Sequence, residues 1–274
     1  PVTRPRPGHA DLAGAIKYDF HDSRYILERA SARETTARVA VGALAKAYLA
    51  EFGIEVLSHV IAVGDARLER RATWEELVAL SQKDEVLLGC VDPEAEQRMK
   101  AVVDEIYRTG DTVGGVFEVV AHGVPVGLGS HIAWDTRLDG KLAQAIVSMQ
   151  AVKGVEIGAG FASAELSGED NADEMRMGND GRPRFLSNNA GGILGGISTG
   201  QPVVARFAVK PTSSILTPRR TIDRDGHKLL VPDIALEGWW TSLPEALSAR
   251  ASASSPSGSR LALGSSRTSR RGAP

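Results

Sequence analysis

The stretch SARETTARVAVGALAKAYLAEFGIEVLSHVIAV, residues 31–63, holds a helix and a strand in immediate succession. Ala37, Val41, Leu44, Tyr48 and Phe52 recur at helical spacing. Ser31-Ala32-Arg33-Glu34 fits a capping box and Gly53 a stop, so a helix is predicted from Ser31 to Phe52. Ile54 to Val63 is β-branched and apolar enough for a strand. The same alternation continues outward. Thr73-Trp74-Glu75-Glu76 opens a short helix with a second capping-box pattern. Asp92-Pro93 supplies an N-cap and first-turn proline to a helix carrying Met99, Val102, Val103 and Ile106, which Gly110 closes. The fold class expected is α/β.

Further along, the Val- and Gly-rich run from Thr112 to Gly129 suggests two strands turning at His122-Gly123. Leu138 to Val152 returns to helical spacing and ends at Gly154. Ala162 to Asn189 shows no periodicity and reads as a long surface loop of the kind that covers a site. Pro202 to Lys210 reads as a strand that runs into a turn with three hydroxyls, Pro211-Thr212-Ser213-Ser214.

With 274 residues, 42% of them hydrophobic, the chain is long enough to bury a core as one large domain or two small ones. Its 32 basic and 34 acidic side chains leave a net charge of -2, which does not call for nucleic acid or an anionic membrane as partner. A local cationic cluster for a small anion remains compatible with it. The single Cys90 excludes an internal disulfide, and no apolar run is long enough for a membrane span, which fits a cytoplasmic protein. After Glu245 there is no acidic residue, while Arg250, Arg260, Arg267, Arg270 and Arg271 stand among Ser, Ala, Gly and Pro. The expected organisation is therefore a domain over residues 1–226 and a disordered tail over 227–274. Residues 264–274 can be back-translated so that a shifted frame encodes a helix-like apolar sequence, which points to a frameshift between about Gly226 and Ala249. A genuine basic arm for RNA or a membrane is the alternative.

Two short segments near the start concentrate candidate chemistry. In Arg6-Pro7-Gly8-His9-Ala10-Asp11 a histidine follows a Pro-Gly turn beside Arg4 and Arg6, so it sits where an anion is favoured and could protonate a leaving phosphate or a cofactor nitrogen. In Arg29-Ala30-Ser31-Ala32-Arg33 a helix N-cap is flanked by two arginines, which suits a phosphate or carboxylate; capping alone explains Ser31 equally well. The glycine run Asn189 to Gly200 lets backbone approach a flat ligand or a phosphate, or makes a tight turn between strands. It lacks the dinucleotide and Walker spacings. Lys210 with Thr212, Ser213 and Ser214 offers one charge and several hydroxyls to a phosphate or the polar edge of a flavin. His21, His59, His122 and His131 show no ligand spacing, and no metal site is expected. Met149, Trp134, Trp239 and Trp240 read as packing residues.

These motifs, together with Gln150-Ala151-Val152-Lys153-Gly154-Val155-Glu156-Ile157-Gly158, resemble the chorismate synthase family in order and spacing over roughly residues 1–226. The resemblance implies an α/β sandwich with sheets outside and helices within, assembled as a homotetramer. It implies anti 1,4-elimination of phosphate from 5-enolpyruvylshikimate 3-phosphate to give chorismate, with reduced FMN as cofactor. Carried over residue by residue, His9 is the catalytic histidine thought to protonate the reduced flavin or keep its charge state, and Arg6 and Arg33 hold substrate anions. Arg29, Ala30, Ser31, Gln150, Ala151, Gly195, Lys210, Pro211, Thr212, Ser213 and Ser214 contact FMN. The family's Gly-Glu-Ser-His-Gly and Arg-His-Asp-Pro motifs have no counterpart in this sequence. The expectation is therefore of a chain that starts late, ends out of frame and is inactive as given. The alternatives are a non-catalytic flavin-binding or assembly fragment, and a basic-tailed nucleic-acid binder.

Overall fold

A computed structural model describes residues 1–223, Gly226 and residues 228–231. The predicted tail beyond Val231, with Trp239 and Trp240, lies outside the described residues, as does most of the span into which the frameshift is read; residues 228–231, expected to be disordered, form a strand instead. The chain opens with two short helices, α1 (Asp11–Tyr18) and α2 (Arg24–Leu27), and the long α3 (Ala32–Ala50). The hairpin β1 (Glu55–Val63) and β2 (Ala66–Arg67) follows, then α4 (Trp74–Ser81), α5 (Pro93–Thr109), β3 (Gly115–His122), α6 (Leu138–Val147) and β4 (Val152–Ile157). Next come the one-turn α7 (Gly168–Asn171) and two ribbons, β5 (Met175–Met177) with β6 (Pro183–Phe185) and β7 (Ile193–Leu194) with β8 (Ile197–Ser198). The chain then forms β9 (Val203–Val209) and the hairpin β10 (Arg219–Ile222) and β11 (Lys228–Val231), whose strands pair across Gly226.

Five strands make one antiparallel sheet in the order β2-β1-β3-β9-β4. Side chains alternate between its faces. Leu57, Val120 and Val204 stand in one cross-strand row and pack with Leu77 of α4. Ala121, Val203 and Ile157 point the other way and pack with Leu49 of α3 and with Leu138 and Leu142 of α6. At the β2 edge, Met99 and Ala95 of α5 close over Val60 and Cys90. The α/β class is therefore as expected; the one large sheet among the described residues carries α4 on one face and α3 and α6 on the other.

Helix starts follow their capping chemistry. Thr73 Oγ1 accepts from Glu76 N–H at 3.3 Å while Thr73 N–H donates to Glu76 Oε2 at 2.8 Å, the reciprocal box expected from the sequence. Asp92 Oδ1 accepts from Ala95 N–H at 2.9 Å and Pro93 begins α5. Ser31 caps α3, but the box predicted there does not close: Glu34 turns to Arg29 and Arg38 instead. The apolar stripe of α3 also faces outward in this structure, with Leu44 75% exposed; Leu49, off that stripe, meets the sheet.

Other predicted elements give way to long-range pairing. The helix expected to reach Val152 stops at Val147, because Val152 to Ile157 is taken up by β9 as a sheet edge. Of the two strands expected between Thr112 and Gly129, only β3 forms, and beyond Gly123 the chain runs beside β8, with a bridge from Gly129 to Ile197 and backbone bonds between Gly127, Leu128 and Ser198. The loop expected over residues 162–189 contains the end of a 3-10 turn, α7 and the β5–β6 ribbon. Trp134, expected to pack, is 85% exposed.

A row of charged side chains crosses the α4 face of the sheet in register, His59 opposite Glu118, Glu118 opposite Arg206, Arg206 opposite Glu156. His59 Nε2 lies 3.1 Å from Glu118 Oε1, Arg206 Nε donates to Glu118 Oε2 at 2.8 Å, and Arg206 Nη1 is 3.9 Å from Glu156. Burial alone would raise the Glu118 carboxyl, but hydrogen bonds from His59 and Arg206 hold it below the ordinary glutamate value. A carboxylate lowered in this way contributes stability that is complete above the unfolded glutamate value of 4.5 and is lost as pH falls through its lower folded value. Glu118→Ala should leave His59 and Arg206 without their acceptor and cost about 3 kcal/mol in chemical denaturation at neutral pH. The difference from the parent chain should shrink below the glutamate range; a variant as stable as the parent at neutral pH would contradict this account.

Candidate functional site

Where β9 ends and β4 begins, the sheet collects segments that are far apart in sequence. Val209 is the last residue of β9 and pairs with Val152, and Lys210 N–H donates to Ala151 C=O at 2.9 Å. Ala151 reaches this position with φ +67°, an uncommon left-handed backbone for a residue with a side chain. Beyond it, Thr112 Oγ1 donates to Thr212 C=O at 2.7 Å, and Pro211 packs against Gly114, so the turn Lys210–Ser214 is held against the chain leading into β3. Thr35 Oγ1 donates to Gln150 Oε1 at 3.1 Å and brings the first turns of α3 to the same place. An open groove of about 510 Å³ begins there between α3 and α6, lined by Glu34, Arg38, Val41 and Met149.

The Arg6–Asp11 loop docks onto this turn. Arg6 Nη1 donates to Ser214 Oγ at 3.1 Å, the Lys210 ammonium donates to Gly8 C=O, and Ser213 lies against Gly8. Farther out, Thr221 Oγ1 donates to Pro5 C=O at 2.6 Å. At the heart of the loop is Asp11, fully buried. Its Oδ2 accepts from Arg6 Nε at 2.9 Å and from Arg6 N–H at 3.1 Å. Its Oδ1 lies 2.5 Å from His9 Nδ1. Desolvation would raise this carboxyl, but the hydrogen bonds from His9 and Arg6 outweigh it and hold Asp11 well below the usual carboxylate range. Sequence reasoning singled out the cations of this motif and passed over the acid that organises them. The signal was present as an Asp two residues after the histidine and five after the arginine.

The structure therefore brings together Arg6, His9, Gln150, Ala151, Lys210, Pro211, Thr212, Ser213 and Ser214. The arginines at the start of α3 stand differently. Arg33 pairs with Glu28 and Arg29 with Glu34, with side chains 72% and 82% exposed. Ser31 accepts from Arg33 N–H at 3.4 Å and donates to Glu28 C=O at 3.0 Å, while Ala30 N–H bonds back to Ile26 C=O. Gly195 sits at the β7–β8 turn, a ribbon tied to Leu138 and Gly129.

The first half of the glycine run is explained by backbone touching backbone. A Cβ on Gly191 would meet Gly158 Cα at 2.4 Å, and one on Gly158 would meet Asn189 C=O at 2.2 Å; both have positive φ. Asp173 anchors the run by accepting from Ser187 Oγ at 2.6 Å, Asn189 N–H at 2.7 Å and Ala190 N–H at 2.9 Å. Gly195 differs, with φ +59° and nothing near a Cβ.

The chemistry of the cluster is cationic and hydroxylic: a lysine, an arginine with two N–H groups still free of Asp11 and Ser214, an imidazole and a turn of hydroxyls. That donor set suits a phosphate ester. No helix among the described residues is long and apolar enough to cross a membrane.

Residues 2–234 match the family model described as Chorismate synthase. Chorismate synthase of Solibacter usitatus is 67% identical over 225 residues, covering 81% of this chain and 58% of that protein. Chorismate synthase of Aquifex aeolicus is 49% identical over 231 residues, again covering 81% and 58%. A crystal structure titled as chorismate synthase superposes with a TM-score of 0.69 at 47% identity, covering 74% of this chain and 63% of that one. The chain thus spans a little under three fifths of the length of these curated relatives.

The two kinds of glycine should separate under substitution. Gly195→Ala should cost about 1 kcal/mol, the penalty of a left-handed backbone. Gly191→Ala adds a backbone collision and should cost more than about 2 kcal/mol. Thermal unfolding of the two variants checks the order; equal losses would show that Gly191 and Gly158 do not pack as described.

Proposed function

The chain belongs to the chorismate synthase family, and we propose that the intact protein eliminates phosphate from 5-enolpyruvylshikimate 3-phosphate to form chorismate, using reduced FMN. The observation that carries this reading is the convergence of three family motifs, Arg6–Asp11, Gln150-Ala151 and Lys210–Ser214, at one end of β9. Their donors fit a flavin phosphate together with an anionic substrate.

In the reaction the allylic C–O bond to phosphate breaks, a ring proton leaves from the opposite face and a new double bond forms, with no net change in oxidation state. Bound reduced FMN would supply transient electron density to the departing C–O bond. The residues of this chain bind and orient. Lys210, Thr212 and Ser213 would hold a phosphate end; the free N–H edges of Arg6 would face a substrate anion; His9 would take up and return a proton at the flavin edge. Gln150, Ala151 and the first turn of α3 meet through Thr35; Arg29, Ala30 and Ser31 would contact the flavin from there, and Arg33 would close on substrate only after leaving Glu28. Gly195 would meet the flavin from the β7–β8 turn. We place the intact enzyme in the cytoplasm, in line with the near-neutral charge and single cysteine of this chain, and as a homotetramer, as the family resemblance implies.

Anaerobic titration of the purified chain with reduced FMN and substrate, following flavin absorbance and released phosphate together, tests this. Saturable flavin binding that is lost in Lys210→Ala is expected. Phosphate release as well would show that these residues complete the chemistry. Binding without release would favour a flavin-holding portion of the enzyme, and absence of flavin binding would remove the site assignment.

A further inference from the structure

We infer that Asp11 is a positioning residue, whose buried carboxylate fixes His9 in the tautomer with its proton on Nδ1 and so presents Nε2 to whatever occupies the site. Both carboxylate oxygens of Asp11 are acceptors, and both have fixed partners. Oδ2 receives the Arg6 Nε and backbone N–H, and Oδ1 lies 2.5 Å from His9 Nδ1. An ionised carboxylate has no proton to offer, so the hydrogen in the His9–Asp11 contact belongs to the imidazole. Nε2 then carries the lone pair of the neutral ring, and no residue among those described is hydrogen-bonded to it. Arg6 continues to Ser214, and Gly8, next to His9 in the chain, accepts from Lys210, so the loop that carries the ring is docked on the hydroxyl turn. One buried acid thus sets both the direction of the guanidinium and the proton address of the imidazole. This is the logic by which a carboxylate orients a catalytic histidine in other enzymes. Only the role of His9 toward a bound ligand rests on the proposed function; the tautomer does not.

The experiment is nitrogen NMR of the imidazole rings in the uniformly ¹⁵N-labelled full chain, at a pH where the rings are neutral, with His9 assigned as the pair of signals missing from His9→Gln. The wild-type chain should show His9 protonated on Nδ1. In Asp11→Asn the single carbonyl oxygen is claimed by the Arg6 guanidinium and the amide NH₂ turns to His9, so the proton should move to Nε2. Ser214→Ala removes the other partner of Arg6 but keeps the carboxylate, and should leave His9 protonated on Nδ1. Wild-type His9 protonated on Nε2 overturns the proposal, and this arm decides even where Asp11→Asn does not fold. A folded Asp11→Asn chain with the wild-type pattern overturns it too. Adding reduced FMN separates the two readings. Failure of flavin to bind, with the Nδ1 proton in place, refutes the functional reading and upholds the positioning role.

Discussion

Everything that bears chemistry in this structure depends on the placement of β9 between β3 and β4. Residues 203–209 pair along both edges, with strands that begin roughly ninety and fifty residues earlier in the chain. That double pairing does two things at once. In mid-strand it inserts Arg206 between Glu118 and Glu156; at its end it delivers Lys210 to Ala151 and projects the hydroxyl turn against Gly8 and Arg6. Local helix signals in α4 and α5 can form early and independently, but the site exists only after the most non-local contacts of the sheet are made.

The site itself is assembled by opposing desolvation with hydrogen bonding. Burying Asp11 is costly in isolation, and the cost is met by four contacts from two neighbouring residues of the same loop. The result is a rigid loop whose outward groups are cationic. The arginines at the start of α3 are paired with carboxylates of their own segment and stay in solvent. Positive charge therefore falls into two regimes, one locked by a buried acid and one paired within its own segment in solvent.

Much of the architecture was legible in residues 31–63 and in the capping boxes, because a cap and an apolar period are local facts. Thr73 with Glu76 and Asp92 with Pro93 formed as read, while Ser31 with Glu34 did not, since Arg29 and Arg38 compete for the same carboxylate. The end of α6 was misplaced because the apolar spacing runs on to Met149, and only the partner strand decides that Val152 belongs to a sheet. The motifs of the site were visible one by one. Their meeting was supplied by family resemblance, since nothing in the residues themselves says that Gly8 lies against Ser213. Asp11 was overlooked for a physical reason: an acid in a basic motif looks like a counter-charge in water until burial shows that it is the framework. The glycine run was read toward a ligand, while Gly158 and Gly191 show that half of it exists so that two stretches of main chain can touch.

The charged row across the α4 face also acts as a code for strand alignment. Apolar rows such as Leu57, Val120 and Val204 tolerate substitution of one aliphatic neighbour for another, so they discriminate poorly between neighbouring alignments. His59, Glu118, Arg206 and Glu156 do not. Sliding β3 by one residue would turn Glu118 toward Leu49, Leu138 and Leu142, and sliding it by two would set the carboxylate opposite Val204 or Ala208 with Arg206 facing a valine. Each misalignment strands a charge in a dry interior. A sheet that must bring β9 home across such distances thus carries its own proofreading, and the row that holds the native alignment also raises the floor of the wrong ones.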